Sequence, residues 1–358
     1  MSGIPPTLDT LSDADFQARF LDGVSRTFAL TIPQLPQPLA LPVANGYLLC
    51  RIVDTIEDDL GLSSQQKRTF CERFIRVVAG QEAAEPLAAD LTPLLSEQTL
   101  RAERELIAEI PRVIRITHSF APPQRDALSD CVAIMARGMA EFQDQDLRRG
   151  LSDLGQMADY CYYVAGVVGE MLTRLFCHYS PEITVHRSDL MTLAVSFGQG
   201  LQMTNILKDI WDDRARGVCW LPRDVFDEAG FDLSDLRPDH QNPAFAAGLE
   251  HLLAVTHGHL RDALEYTLLI PSHETGIREF CLWAIGMAVL TLRKIHGNPY
   301  FSDSSQVKIT RRAVKATILV SHLSRRHDAL LRSVFWLAGL GLPRTRAVTA
   351  MLRNHIDV

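Results

Sequence analysis

The chain has 358 residues, 47% of them hydrophobic and 22% charged, with a formal net charge of −7. That apolar content supports a sizeable core and excludes wholesale disorder. The acidic balance argues against a nucleic-acid partner, although a basic pocket could sit within it. Cys50, Cys71, Cys131, Cys161, Cys177, Cys219 and Cys281 never form a Cys-x-x-Cys pair, and the opening MSGIPPTLDTLSDADF has neither a basic start nor an apolar run. Reduced core thiols in a cytoplasmic protein are the expectation.

In chain order, Thr27 to Cys50 is uncharged, but Pro33, Pro36, Pro38 and Pro42 predict that it cannot be one regular helix. Ser63 and Gln66 fit a capping box before a helix to about Val78. Gln81 to Pro93 reads as a surface connection. Pro122-Pro123 opens a helix on which Leu128, Cys131, Met135, Met139 and Phe142 recur at helical spacing. Ser152 is placed to cap a long helix through about Cys177, and Asp189 another through about Asp213. Arg214 to Ala244 reads as a connection with short turns, and His257-Gly-His259 as surface. Helices resume to about Leu269, over Thr275 to His296, and over Arg311 to Leu337.

Strand alternation is almost absent, so the fold class is all-α. Leu190 to Leu207 carries Thr192, Ser196, Gln199, Gln202, Thr204 and Asn205, which suit a cavity wall better than lipid, and Phe280 to Leu292 is too short to span a bilayer. No transmembrane anchor is expected; peripheral membrane contact stays open. Without a Gly/Ser linker or repeat, residues 1–358 read as one domain.

Two segments carry the chemistry. Asp54-Thr-Ile-Glu57-Asp58-Asp59 and Asp209-Ile-Trp-Asp212-Asp213 each place carboxylates at i, i+3 and i+4, one face of a helix, behind apolar runs. Clustered carboxylates in poorly solvated places repel one another unless a cation neutralises them, which suggests oxygen-ligand cages for Mg²⁺ completed by a polyphosphate. Arg51 lies one turn before Asp54 as a diphosphate partner. Gln202, Asn205, Asp209, Asp212 and Asp213 recur along one polar stripe. An EF-hand is excluded, because the Asp-x-Asp-x-Asp-Gly loop is missing.

Ser25-Arg26-Thr27-Phe28, the Asp54–Asp59 cluster, Tyr160-Cys-Tyr-Tyr-Val164-Ala165-Gly166-Val-Val-Gly169, Gln202–Asp213 and Phe280–Leu292 occur in that order. On these motifs the chain resembles the squalene/phytoene synthase family of head-to-head trans-prenyl transferases, from about residue 20 to about residue 320. The Phe280–Leu292 segment looks like the squalene-forming branch rather than the carotenoid one. The resemblance implies an isoprenoid-synthase helical bundle around a central cavity.

It also implies roles. Asp54, Asp58, Asp209 and Asp213 would hold Mg²⁺ bridging diphosphates, supported by Glu57 and Asp212. Ser25, Arg26, Tyr47, Arg51 and Lys208 would contact diphosphate oxygens, and Gln202 and Asn205 would line the pocket beside the second metal site. Phe28 would bound the prenyl cavity, with Val164, Phe280 and Met287 open to either core or tunnel wall. Tyr160 would be the active-site phenol. Lys308, Arg311 and Arg312 resemble a basic loop for a nicotinamide-cofactor phosphate, with solvated basic residues as the competing reading; no Rossmann glycine motif follows a strand. Gly166 and Gly169 are expected to permit close approach. Departures from the family pattern are Lys208, where many relatives carry Arg; Val218, at an often basic position that Arg214 or Arg216 could replace; and the lack, by Val358, of the hydrophobic anchor of eukaryotic relatives.

The implied reaction condenses two farnesyl diphosphates to presqualene diphosphate, then reduces this with NADPH (or NADH) to squalene. Alternatives are dehydrosqualene or phytoene synthesis, an enzyme stopping at presqualene diphosphate or hydroxysqualene, and, remotely, a non-catalytic helical assembly factor.

Overall fold

The structure, a computed structural model, describes residues 10–143, 145–238 and 241–345, with Arg26 described in its backbone alone. The helices are α1 (Asp13–Val24), α2 (Arg26–Thr31), α3 (Gln37–Asp58), α4 (Ser64–Val78), α5 (Ala84–Leu91), α6 (Arg101–Ala108), α7 (Ile110–Ser119), α8 (Pro122–Ala140), α9 (Leu154–Cys161), α10 (Val167–Tyr179) and α11 (Pro181–Thr184). After them come α12 (Arg187–Lys208), α13 (Ile210–Ala215), α14 (Arg223–Glu228), α15 (Pro243–Leu269), α16 (Thr275–Gly297), α17 (Arg311–Ser324) and α18 (Asp328–Ala338). Among the described residues the only β feature is an isolated bridge, Leu151 to Pro222. The all-α expectation holds.

Two compact units emerge, one drawn from Met1–Asp144 and Arg174–Thr184, the other from Gln145–Thr173 and Val185–Val358. In the first, α3 is the central helix, packed against α1, α4, α6, α7 and α8. Leu48, Leu49, Ile52, Val53 and Ile56 are wholly buried. A polar clamp fixes its register: Gln17 donates to Asn45 Oδ1 (3.1 Å), and Asn45 donates to Thr117 Oγ1 (2.7 Å) and to the Val113 carbonyl (3.3 Å). Such a network is stabilising when every member is satisfied.

The prolines act less severely than expected. Pro33 and Pro36 do break the chain before α3, but Pro38 sits in its first turn and Pro42 lies inside it. A first-turn proline lacks only an N–H that had no helical partner anyway, whereas an interior one costs ~3 kcal/mol; burial of Leu39 and Val43 around Pro42 opposes that cost. The Ser63–Gln66 capping box is present. So is the α8 stripe, with Leu128, Cys131, Met135 and Met139 buried; Phe142 is buried too but lies just past the helix end. Gln81 to Pro93 is not a plain connection: α5 buries Ala84, Leu87, Ala88 and Leu91, and Pro86 falls in its permissive first turn.

In the second unit, α12 packs against α15, α16, α9 and the turn that follows α9. The long helix expected from Ser152 is interrupted. Asp153 is the cap, its carboxylate accepting from the Gln156 N–H, and Tyr162–Gly166 forms a π-turn in which the Val167 N–H reaches back to the Tyr162 carbonyl. Asp189 lies in the first turn of α12 rather than capping it, and the helix stops at Lys208. The C-terminal helical run likewise divides at Arg325–His327 into α17 and α18.

The close approach expected of the glycines is found. A Cβ on Gly169 would stand 2.3 Å from the Ala194 carbonyl oxygen, and one on Gly198 only 2.2 Å from that of Ala165. His257 and His259 are buried, contrary to the surface expectation. His259 Nδ1 lies 2.8 Å from the Ser196 hydroxyl, which also donates to Asp262 at 2.9 Å. Burial lowers the His259 pKa to about 3, so the imidazole is neutral. Arg278 is wholly buried, donating to the carbonyls of Ile270 and Arg325 and to Asp328 at 2.7 Å.

Among the described residues two helices, α3 and α16, are long and apolar enough to cross a membrane, α16 reaching 23 residues rather than the shorter span expected. In their most apolar windows 72% and 67% of residues are buried within the fold. Core packing accounts for that composition.

Gly198→Ala should lower stability by about 1–3 kcal/mol, because the nearest atom is a backbone carbonyl that cannot swing aside. Gly297→Ala, with open space around it, should leave the melting temperature unchanged. Equal thermal melts for both variants would refute the packing argument.

Candidate active site

In the first unit the C-terminal half of α3 presents Tyr47, Arg51, Asp54 and Asp58 at i, i+4, i+7 and i+11, one face of a helix. Arg51 organises it. One guanidinium nitrogen donates to the Tyr47 hydroxyl (2.9 Å), and another lies 3.8 Å from Asp54 and 3.7 Å from Glu103. The Tyr47 ring packs on Phe28 at 4.7 Å, and the Phe28 N–H donates to the Ser25 hydroxyl that caps α2. Ser25, Phe28, Tyr47, Arg51 and Asp54 are thereby joined in one run of contacts. Arg26 opens α2, but its side chain lies outside the described residues.

The carboxylates here resist ionisation. Burial first, then the charges of Asp58 and Glu103, outweigh Arg51 and push the Asp54 pKa up to about 6. Burial and Asp58 push Glu57 up to about 7 against the opposing charge of Lys67. Lys67 itself donates to the Glu57 carbonyl. Glu103, on α6, is raised by its burial. Asp58 is exposed. Asp59 does something different: buried, it accepts from the N–H groups of Gly61 (2.7 Å) and Ser96 (3.0 Å) and from the Thr99 hydroxyl, anchoring the loops after α3 and α5.

In the second unit the acidic segment is not one continuous helix. Asp209 stands at the junction of α12 and α13 with φ −101° and ψ 16°. Lys208 lies 3.1 Å from Asp209 and 3.3 Å from the Asn205 amide oxygen. Asp213 is buried and paired with Arg216. Asn205 and Asp212 are exposed and Gln202 is half-buried, so the polar stripe runs from partial burial to solvent. Trp211 pins the junction through its indole N–H to the Phe301 carbonyl (2.6 Å). Neither arginine near Val218 is idle: Arg216 serves Asp213, and Arg214 donates to the Arg148 carbonyl.

Tyr160 is buried at the end of α9, directly before the π-turn, with its ring stacked on Trp220 (3.7 Å between centroids, 12° between planes). Such turns insert an extra residue and recur at functional sites. Val164 lies within it, half-buried. Gln199 on α12 donates to the Ala158 carbonyl at 3.0 Å, bracing the same helix. Phe280 is buried and Met287 half-buried, two turns apart on α16. Lys308, Arg311 and Arg312 are exposed around the start of α17, where Thr310 is the cap.

Sequence reasoning missed Glu103 and Trp220, and it read Gln199 only as part of a cavity wall. Glu103 carries no signal, since only the fold brings α6 beside Arg51. Trp220 lay in a segment read for its charges, where an aromatic drew no notice.

Among the described residues no three His, Cys, Asp or Glu side chains converge as a ready cage. Mg²⁺ at phosphate sites takes one or two carboxylates and fills its octahedron with water and phosphate. Hard oxygen donors whose mutual repulsion already opposes ionisation fit that partial role.

The squalene/phytoene synthase family model matches residues 21–313. A squalene synthase of Gibberella zeae is 28% identical over 296 residues, 82% of this chain and 61% of the relative; one of Eremothecium gossypii is 29% identical over 324 residues, 88% and 70%. This chain therefore spans roughly three-fifths to seven-tenths of those relatives' length. Among solved structures, TcSQS with a bound ligand superposes with a TM-score of 0.75 at 23% identity, covering 95% of each chain. A dehydrosqualene synthase with a ligand gives 0.63 at 18%, covering 90% of this chain and 97% of the other. At those identities the superpositions establish the fold, the isoprenoid-synthase helical architecture. With both acidic segments, the tyrosine before the π-turn and a match over most of its length, the chain belongs to the squalene/phytoene synthase family.

Proposed function

We propose that this chain is a squalene synthase, a prenyltransferase that joins two farnesyl diphosphates through presqualene diphosphate and reduces the product with NADPH. The observation that carries the chemistry is the Arg51 guanidinium held between Tyr47, Asp54 and Glu103, beside carboxylates whose burial resists ionisation. A cation–diphosphate pair satisfies both halves of that arrangement. The squalene-forming branch is favoured by the relatives' names, since several at 28–30% identity are squalene synthases.

Asp54 and Asp58, with Glu57 in support, would hold Mg²⁺ in the first unit; Asp209 and Asp213, with Asp212, would do so in the second. Bound Mg²⁺ supplies the positive charge that makes diphosphate a leaving group. Arg51, Tyr47 and Ser25 would hold diphosphate oxygens by charge-assisted hydrogen bonds, as would Arg26. Lys208 would act as a point charge, without the fork of an arginine. Gln202 and Asn205 would orient the second diphosphate through their amides. Tyr160, fixed by its stack on Trp220, would place its phenol at the reacting carbons. Phe28, Val164, Phe280 and Met287 would wall the prenyl chains and keep water from the allylic cation. Lys308, Arg311 and Arg312 would hold the phosphate of NADPH, which supplies a hydride when bound.

The deciding experiment incubates the protein with farnesyl diphosphate and Mg²⁺, with and without NADPH. Squalene should appear only with NADPH. The same non-squalene product under both conditions would instead assign dehydrosqualene or presqualene diphosphate synthesis.

Asp54→Asn and Asp213→Asn should each cut Mg²⁺-dependent diphosphate release by about 10²–10³-fold, the scale of losing one group that stabilises developing charge. Wild-type release in either variant would remove that residue from the metal set.

The raised carboxyl pKa values set a pH dependence. Asp54 at about 6 and Glu57 at about 7 bind protons more tightly folded than unfolded. Their contribution to metal-free stability is therefore fully present at low pH and lost as pH rises through the unfolded and then the folded values. Metal needs the ionised forms, so Mg²⁺ with pyrophosphate should raise the melting temperature more at about pH 8 than at about pH 5.5. An equal or larger shift at the lower pH would contradict the assignment.

A further inference from the structure

The two C-terminal helices present their apolar residues the wrong way round for a domain that packs only against itself. Of twelve large hydrophobic side chains exposed among the described residues, seven lie between Leu319 and Leu340. On α17, Leu319, Val320 and Leu323 share one face and are exposed, Leu323 to 66%. The face turned inward sets small hydroxyl-bearing residues beside half-buried Val314 and Ile318. Ser321 and Ser324 are buried, and Thr317 packs so closely on α16 that a Cβ at Gly286 would meet its methyl at 2.5 Å. Two of these hydroxyls are satisfied within α17, half-buried Thr317 by the Ala313 carbonyl and buried Ser324 by that of Val320.

The next helix repeats the pattern. α18 has its own inner face: Leu331 packs with Leu264 and Leu282, and Phe335 stacks on His257. Yet Leu330, Trp336, Leu337 and Leu340 remain exposed, Leu330, Leu337 and Leu340 at i, i+7 and i+10. Scattered exposed apolar side chains are ordinary, but a stripe on each of two successive helices marks a contact surface.

Charge identifies the occupant. From Arg311 to Thr345 the sequence holds seven Arg or Lys and one acid, Asp328, in a chain whose net charge is −7. Asp328 is taken by Arg278, while Arg325 and Arg332 are paired with Glu279 and Glu265. Arg311, Arg312, Lys315 and Arg326 are exposed, and no ion pair among the described residues engages them. Lys315 stands one turn before Leu319, and Arg326 follows Leu323 past the helix end, so cations flank the α17 stripe on both sides. Leu and Trp on one face with Arg and Lys at its margins is the composition of a helix that lies in a membrane interface. A second copy applied face to face would bring the same cations together. Residues 346–358 carry Arg346, Arg353 and a single Asp357, and so do not complement the charge.

We propose that the exposed faces of α17 and α18 form a docking surface for an anionic lipid bilayer, with Leu319, Leu323, Trp336 and Leu337 entering the interface and Lys315 and Arg326 engaging lipid phosphates. The contact is peripheral, and it stands apart from the proposed chemistry because vesicle binding is read without substrate.

The test is sedimentation of the full chain with vesicles of phosphatidylcholine, alone or with about one-third phosphatidylglycerol. Wild-type protein should pellet with the anionic vesicles, pellet poorly with the zwitterionic ones, and be released by salt. Leu323→Gln with Trp336→Gln should weaken binding at least about tenfold. Lys315→Glu with Arg326→Glu, which touches no packed side chain, should do so by a similar factor. Leu100→Gln, at an exposed leucine outside the patch, should bind as wild type. Thermal melts of each variant report folding. The proposal is overturned by wild-type protein that ignores anionic vesicles, by binding indifferent to lipid charge, or by retained binding in both double variants. It is equally overturned by a light-scattering mass showing a dimer that Leu323→Gln with Trp336→Gln dissociates, which would make the face an interface between copies.

Discussion

Everything at the first acidic segment depends on one guanidinium. Arg51 sits on a largely apolar, buried helix, so its charge and those of Asp54 and Glu103 share a region where water screens weakly. Burial works against the Arg51 charge, and Asp54, Tyr47 and Glu103 outweigh it, raising its pKa. The same burial leaves Asp54 and Glu57 poorly ionised, because Arg51 beside the one and Lys67 beside the other do not offset desolvation and the neighbouring acids. The arrangement is stable yet under-neutralised. That imbalance supports the proposal of a cation-bound diphosphate as its complement.

The second unit solves a different problem, bringing helical backbones close enough to fix a tyrosine. Gly198 on α12 and Gly169 on α10 remove the Cβ atoms that would otherwise meet the Ala165 and Ala194 carbonyls and hold α12 away from the π-turn and α10. The π-turn at Tyr162–Gly166 re-phases the helix after Tyr160, so residues on either side of it no longer share one stripe. Tyr160 is left facing Trp220, and Gln199 braces the Ala158 carbonyl two residues earlier. Close packing and an irregular turn thus act on the same short segment.

Local signals were legible wherever a single helix sufficed to express them. Ser63 with Gln66, the prolines at Pro122-Pro123 and the α8 stripe all read directly, because capping and amphipathicity act within a few residues. The order and type of the site residues were legible too, through five motifs. What escaped depended on partners distant in sequence. Asp209 looked helical by spacing, but its backbone departs at the junction that Trp211 pins to Phe301. His259 reads as surface and is buried, because Ser196 and the neutral state make burial tolerable, and Arg278, which carried no signal in the sequence, is buried where backbone carbonyls and the Asp328 carboxylate converge on it. Pattern alone assigns a charged or titratable residue to solvent unless its partners can be seen.

The inverted faces of α17 and α18 follow the same logic from the other side. Hydrophobic periodicity predicts a helix at Arg311–Leu337, and both helices exist, yet period cannot say which face turns inward. On α17 that choice is made by α16, whose Gly286 opens a shallow site that accepts Thr317 and would not accept a leucine without widening the spacing. With Thr317, Ser321 and Ser324 committed to the interior, Leu319, Val320 and Leu323 have nowhere to go but outward. A glycine on one helix therefore determines what its neighbour shows to the surroundings, and an apolar face bordered by unpaired cations is the result.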